Sequence, residues 1–196
     1  MYFCSETAGG RQRERGLLDG LDVLLVCRRT LSGLQPKFCK NKEMISLNLP
    51  AADIKTTREG ERLMVFDVLR SKFVALTPEE WVRQHFVSFL LHHKHFPSAL
   101  MMNEVGVTLG GVTRRCDTVV YSRGTAQPLV IVEYKAPTVA ITEAVFRQIA
   151  SYNYALRARY LFVSNGLTHY ACRMDYAAGR TQFLQDIPDF ADLTTE

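Results

Sequence analysis

The chain has 196 residues, enough for one domain with a sizeable core. Its 47% apolar and 22% charged residues are ordinary for a soluble globular protein, and no apolar run approaches the roughly 20 residues needed to span a bilayer. A net charge of +4 is mild: it permits a nucleic-acid partner without arguing for one, because a basic patch would have to be local. The five cysteines are odd in number and scattered, with no C-x-x-C pair, so they support neither a disulfide framework nor a zinc knuckle. They fit a reducing cytoplasm.

Residues 1–43 differ in character from the rest of the chain. They carry more Lys and Arg than Asp and Glu, and their apolar segment from Leu17 to Cys27 is interrupted by Asp19, Gly20 and Asp22, which is not a signal-peptide core. The working domain is therefore expected over 44–190, with 1–43 a mobile extension, translated from upstream of the natural start or, alternatively, a basic arm that binds a partner. Residues 191–196 read as a tail, and the chain from Asp186 onward is expected to pack loosely.

From Met44 the pattern alternates, and Ile45–Lys55 reads as a strand with a turn at Pro50. Two short extended pieces come next, Leu63–Leu69 and Lys72–Leu76. Thr77-Pro78-Glu79-Glu80 is a helix start: Thr as N-cap, Pro at the first helical position and Glu at the third. The helix keeps an apolar stripe at Trp81, Val82, Phe86, Phe89 and Leu90. Glu80 either completes the capping box or also lends a carboxylate to a metal site. His92, His93 and His95 end this helix, where cationic groups meet the negative end of the dipole; a metal cluster there lacks a Cys or acid at ligand spacing. Met101–Val107 reads as a strand, and Gly110-Gly111 as a tight turn.

The stretch Val130–Pro137 carries the chemistry. It begins as an apolar run, the pattern of a strand buried on both faces, and then places Glu133 and Lys135 at i and i+2 on the same side of the sheet. Such charges at the end of an apolar strand are costly unless they pair, bind a metal or face a cleft. Pro137 cannot donate to a ladder and ends the strand. Asp117 precedes Thr118–Tyr121, which reads as a neighbouring strand joined through Ser122–Pro128. A hairpin would set Asp117 beside Glu133 and Lys135, two carboxylates and a lysine suited to a hard divalent cation and a phosphate. Thr142 caps a second helix to about Arg157, on which Gln148 and Tyr152 share a face. Strands at Tyr160–Gly166 and His169–Met174 complete an α/β fold, a mixed β-sheet flanked by α-helices.

With these residues in view, Asp117 followed by Glu133-Tyr134-Lys135 resembles the signature of the PD-(D/E)XK nucleases. Arg115-Cys116-Asp117, Glu133-Tyr134-Lys135 and Gln148-x-x-x-Tyr152 together resemble the amino-terminal nuclease domain of type I restriction enzyme R subunits, in its small stand-alone bacterial form, over roughly Met44 to Pro188. Cys116 stands where the superfamily name has proline, a position that is not a ligand. The resemblance implies a restriction-endonuclease-like fold and Mg²⁺-dependent phosphodiester hydrolysis of nucleic acid, chiefly DNA, with Mn²⁺ able to substitute. It implies metal ligation by Asp117, Glu133 and the carbonyl of Tyr134, with Glu80 as a helical acid of the same site. Lys135 would orient the water or stabilise developing charge, while Gln148, Tyr152 and Arg115 would position nucleic acid or brace the site. Cleavage of both strands of a duplex would favour a homodimer. No G-x-x-x-x-G-K-[ST] loop occurs in these residues, so a motor or other partner protein would be separately encoded. Two other readings stay open: an idle nuclease-like fold that binds nucleic acid or protein, and a structural pairing of Glu133 and Lys135 with each other or with Arg114 and Arg115.

Overall fold

The computed structural model describes residues 45–194, so the expected extension at 1–43 lies outside the described residues. The chain first forms a three-stranded antiparallel meander of Thr56–Glu59 (β1), Arg62–Asp67 (β2) and Lys72–Ala75 (β3). Asp67 ends β2 chemically: its Oδ1 accepts the N–H groups of Leu69 and Arg70 at 2.9 and 3.0 Å, an Asx turn that competes with further ladder pairing.

The strand expected at Ile45–Lys55 does not form. This segment is irregular and lies against the turn after residue 164, where the Asn48 N–H donates to Gly166 O at 2.7 Å and the Asn48 carbonyl meets His169 Nε2 at 2.9 Å. Alternation fixes which side chains face inward, and Leu47 and Leu49 do pack on the core, but a strand also needs a free sheet edge.

The first helix, Pro78–His93 (α1), starts as expected: Thr77 Oγ1 accepts the Glu80 N–H at 3.0 Å, and Pro78 occupies the first turn. Beyond it lies a six-stranded sheet, formed by Met101–Leu109 (β4), Val112–Tyr121 (β5), Pro128–Tyr134 (β6), Tyr160–Ser164 (β7), His169–Asp175 (β8) and Arg180–Phe183 (β9), side by side in chain order. Gly110 and Gly111, both in the left-handed region, close the β4–β5 hairpin. Every pairing is antiparallel except β6 with β7. Parallel neighbours need a crossover, and the second helix, Glu143–Leu156 (α2), supplies it. Thr142 is its N-cap by position, although its hydroxyl makes no capping bond.

The sheet is covered on both faces. Val130, Val132 and Tyr134 of β6 join α1 in one core with Val82, Phe86 and Leu90, whereas Ile131 joins α2 in the other with Val145, Phe146 and Ile149. This period-two division is what a strand buried on both faces dictates. A third, short helix at Phe190–Thr194 (α3) corrects the expectation of a loose end: Ile187, Phe190 and Leu193 are buried in the α1-side core. Among the described residues no helix is long and apolar enough to cross a membrane.

Candidate active site

The charged end of β6 lies where the sheet meets both helices. The ladder with β7 continues one residue past the strand, through the Lys135 N–H to Ser164 O at 2.9 Å, and holds the backbone there extended. Glu133 and Lys135 consequently share a side, and Lys135 Nζ donates to Glu133 Oε1 at 2.6 Å. From α2, Gln148 Nε2 reaches the same oxygen at 2.6 Å. The other oxygen, Oε2, is buried with no hydrogen-bond partner. Burial first, and then the charge of Asp117, push the Glu133 carboxyl up to about 7 against the opposing pull of Lys135.

Asp117 stands on β5, directly beside β6, where Thr118 pairs with Val132. Its Oδ2 accepts the backbone N–H of Tyr134 at 2.8 Å, and its Oδ1 accepts from Arg83 Nη2 at 2.9 Å. Burial outweighs these favourable contacts and holds the Asp117 carboxyl above its ordinary range. Arg83 is not among the residues that the sequence singles out. It projects from α1, is 3% exposed, and binds three carboxylates: Asp117, Glu80 at 3.1 Å, and Glu104 of β4. Its guanidinium also lies 5.7 Å from the centre of the Tyr134 ring. Although burial works against its charge, Asp117 and Glu80 raise its proton affinity further, so it is a permanent cation.

The expected trio Asp117, Glu133 and Lys135 is thus brought together, and Gln148 joins it. Tyr152 sits on α2, but its side chain lies outside the described residues. Arg115 points largely to solvent at the rim and pairs with Glu104 at 2.5 Å. The Glu80 carboxylate accepts from Gln84 at 2.8 Å, Arg83 at 3.1 Å and Arg70 at 3.4 Å, so it anchors two cations of the protein. Its neighbour Glu79 is the helical acid that feels the trio. Burial raises its carboxyl first and the charge of Asp117 second, opposed by Lys135. One residue is 100° of helix rotation, and both acids lie in the first turn, although only Glu80 stands at the third position that a capping box uses. The E-x-x-R spacing of Glu80 and Arg83 was the available signal for the pairing, since i and i+3 are neighbours on a helix.

Mg²⁺ takes oxygen ligands and keeps several waters, so one or two carboxylates suffice to hold it. Glu133 Oε2, buried and without a donor beside a second carboxylate, has the chemistry of an oxygen awaiting a cation, and the residues fit that ion. Among the described residues no three His, Cys, Asp or Glu side chains converge into a metal-holding cluster, at the helix-end histidines or elsewhere. Any ion here would rest on two carboxylates, backbone and water.

A mixed sheet covered by helices, with Asp and Glu-x-Lys on adjacent strands and a glutamine reaching back from the crossover helix, defines an α/β protein with a carboxylate-lysine site at the sheet end. The chain belongs to the family described as type I restriction enzyme R protein N terminus, which it matches over residues 78–188. Among solved structures it is similar to a fragment assigned to an HsdR subunit of a type I restriction enzyme from Vibrio vulnificus YJ016. The identity is 20% and the TM-score 0.45, with 60% of this chain and 24% of that one covered. The chain thus spans about a quarter of that relative's length. No curated protein matches.

Proposed function

We propose that this protein hydrolyses phosphodiester bonds of nucleic acid, with DNA as the substrate, in a reaction that depends on Mg²⁺. One observation carries the reading: a buried carboxylate oxygen without a donor on Glu133, beside Asp117 and within one side chain of a lysine. Asp117 and Glu133 would hold the ion. A bound Mg²⁺ supplies Lewis-acid polarisation of the phosphate and a more acidic water. Lys135, at 2.6 Å from Glu133 Oε1, would donate a hydrogen bond to the attacking water or to a phosphate oxygen as charge develops. Gln148 donates to the same Glu133 oxygen as Lys135 and helps fix that carboxylate.

The test is plasmid nicking by the full chain in Mg²⁺ or Mn²⁺, beside Asp117→Ala. Cleavage by the parent that disappears with Asp117 is the expected result. A second reading has its own observation: Lys135 is bound to Glu133 and Asp117 to Arg83, a set of ion pairs that would suit an idle fold binding nucleic acid. Under that reading neither protein cleaves, and DNA affinity is unchanged by Lys135→Ala.

A further inference from the structure

Asp117 belongs to a closed ring of hydrogen bonds that leaves the family-matched segment and returns to it. Tyr134 donates its backbone N–H to Asp117 and its hydroxyl to Thr118 Oγ1 at 3.1 Å. Thr118 donates to Asn103 Oδ1 at 2.6 Å, and Asn103 Nδ2 donates to Asp67 Oδ2 at 2.9 Å. Arg70 Nε meets that same Asp67 oxygen at 2.5 Å, while its Nη2 reaches both oxygens of Glu80 at 3.4 Å. Glu80 accepts from Arg83, and Arg83 donates to Asp117, which closes the ring. Asp67, Thr118 and Tyr134 are fully buried, and the only cations in the ring are the two arginines. Asp67 and Arg70 lie at the end of β2, before residue 78 where the family match begins.

Two further features tie the ring to the site. Glu104, between the paired residues Asn103 and Val105 of β4, has a positive φ of 61°, a strained conformation for a non-glycine, and its carboxylate binds Arg83 and Arg115. Asp117 itself has each of its oxygens on a fixed donor, one backbone and one guanidinium, so its plane is set before any ligand arrives. A planar fork addresses Glu80 and Glu104 from one nitrogen and Asp117 from the other at a fixed spacing, which the single nitrogen of an ammonium does not reproduce.

We infer that Arg83, itself braced by Arg70 and Asp67, is the positioning residue that orients Asp117 for metal ligation, and that the β1–β3 meander is therefore a working part of the site. The inference rests on the metal-dependent reading proposed for the site. It assigns Arg83 and Arg70 no contact with substrate. Their role is to hold one carboxylate plane still, as partners behind a ligand do in metal sites.

The experiment is calorimetric titration of the full-length chain with Mn²⁺, for the parent, Asp117→Asn, Arg83→Lys and Arg70→Lys. Both lysine variants keep the charge and lose the fork, so a change in affinity reports orientation and not field. The parent is expected to bind and Asp117→Asn to lose binding; Arg83→Lys should weaken binding by about tenfold or more, in the range found when such partners are removed. Arg70→Lys should shift affinity in the same direction by a smaller factor. Unchanged affinity in both lysine variants, with only a lower Tm, overturns the inference and leaves the ring structural. Tighter binding in Arg83→Lys also overturns it, since Arg83 would then be a competitor of the ion. If Arg83→Lys does not fold, Arg70→Lys decides, because that side chain is already 21% exposed. Absence of binding by the parent overturns the metal-dependent reading itself, and this inference with it, a result distinct from the other two.

Discussion

The two carboxylates of the site sit on adjacent strands and meet opposite fates. On the α1 side, Asp117 has both oxygens on donors and belongs to a network in which each buried acid shares an arginine. On the α2 side, Glu133 has one oxygen crowded by Lys135 and Gln148 and the other bare. The contrast teaches where a fold tolerates buried charge. A network can be closed by the protein alone, whereas a bare oxygen is a standing cost that a proton or an added cation removes.

Four measurements would break or sharpen that contrast. The largest effect belongs to the closed side: Arg83→Met leaves Asp117, Glu80 and Glu104 short of a counter-charge and should cost about 3–5 kcal/mol in urea unfolding. Next comes Lys135→Ala, which should reduce plasmid cleavage by about 10²–10³-fold, the usual loss of one stabilising donor. Intact cleavage would move catalysis away from the open side altogether.

The third effect has the opposite sign to the first. Glu133, ordinarily near 4.5, is held at about 7 in the folded, metal-free site by burial and then by Asp117. The folded state thus binds the extra proton between those values, so stability declines as pH rises from about 4.5 through about 7. In EDTA the parent should melt lower at pH 8 than at pH 5.5. Glu133→Gln should flatten that difference, by at most about 3 kcal/mol, and a parallel pH profile for the two proteins would refute the bare-oxygen account. The smallest effect tests the helix that carries Arg83. Thr77→Ala removes the hydroxyl that caps Glu80 N–H and should cost about 1 kcal/mol in Tm-derived stability, with metal affinity unchanged.

The open side of the site was legible in the sequence because it is local. Glu133 and Lys135 are one strand period apart, Asp117 is one hairpin away, and Gln148 lies on the helix that must succeed a parallel strand. The closed side was not legible, because Asp67 and Arg70 at the end of β2, Arg83 on α1, and Asn103 and Glu104 on β4 belong to three elements that no sequence spacing links. The sequence points to Glu80 through the family resemblance and the capping box, and neither says which face of the helix looks toward Asp117; the helix rotation about its axis turns Glu79 that way. The stretch 45–55 shows the limit of alternation, since its leucines pack inward without a ladder to join. At the other end, Ile187, Phe190 and Leu193 recur at a three-residue interval, a helical signal hidden among the acids of the tail.

The single parallel junction in the sheet has a consequence for how the molecule assembles. Every antiparallel pair of the six-stranded sheet joins neighbours in sequence across a short connection, so these contacts close early and cheaply in chain entropy. The β6–β7 pair must wait for residues 135–159 to emerge and for α2 to swing across. During synthesis from the amino terminus, the strand bearing Glu133 is therefore a bare edge until Tyr160–Ser164 leave the ribosome. The nascent chain carries its charged trio exposed for that interval, and α2 is the element whose docking ends it.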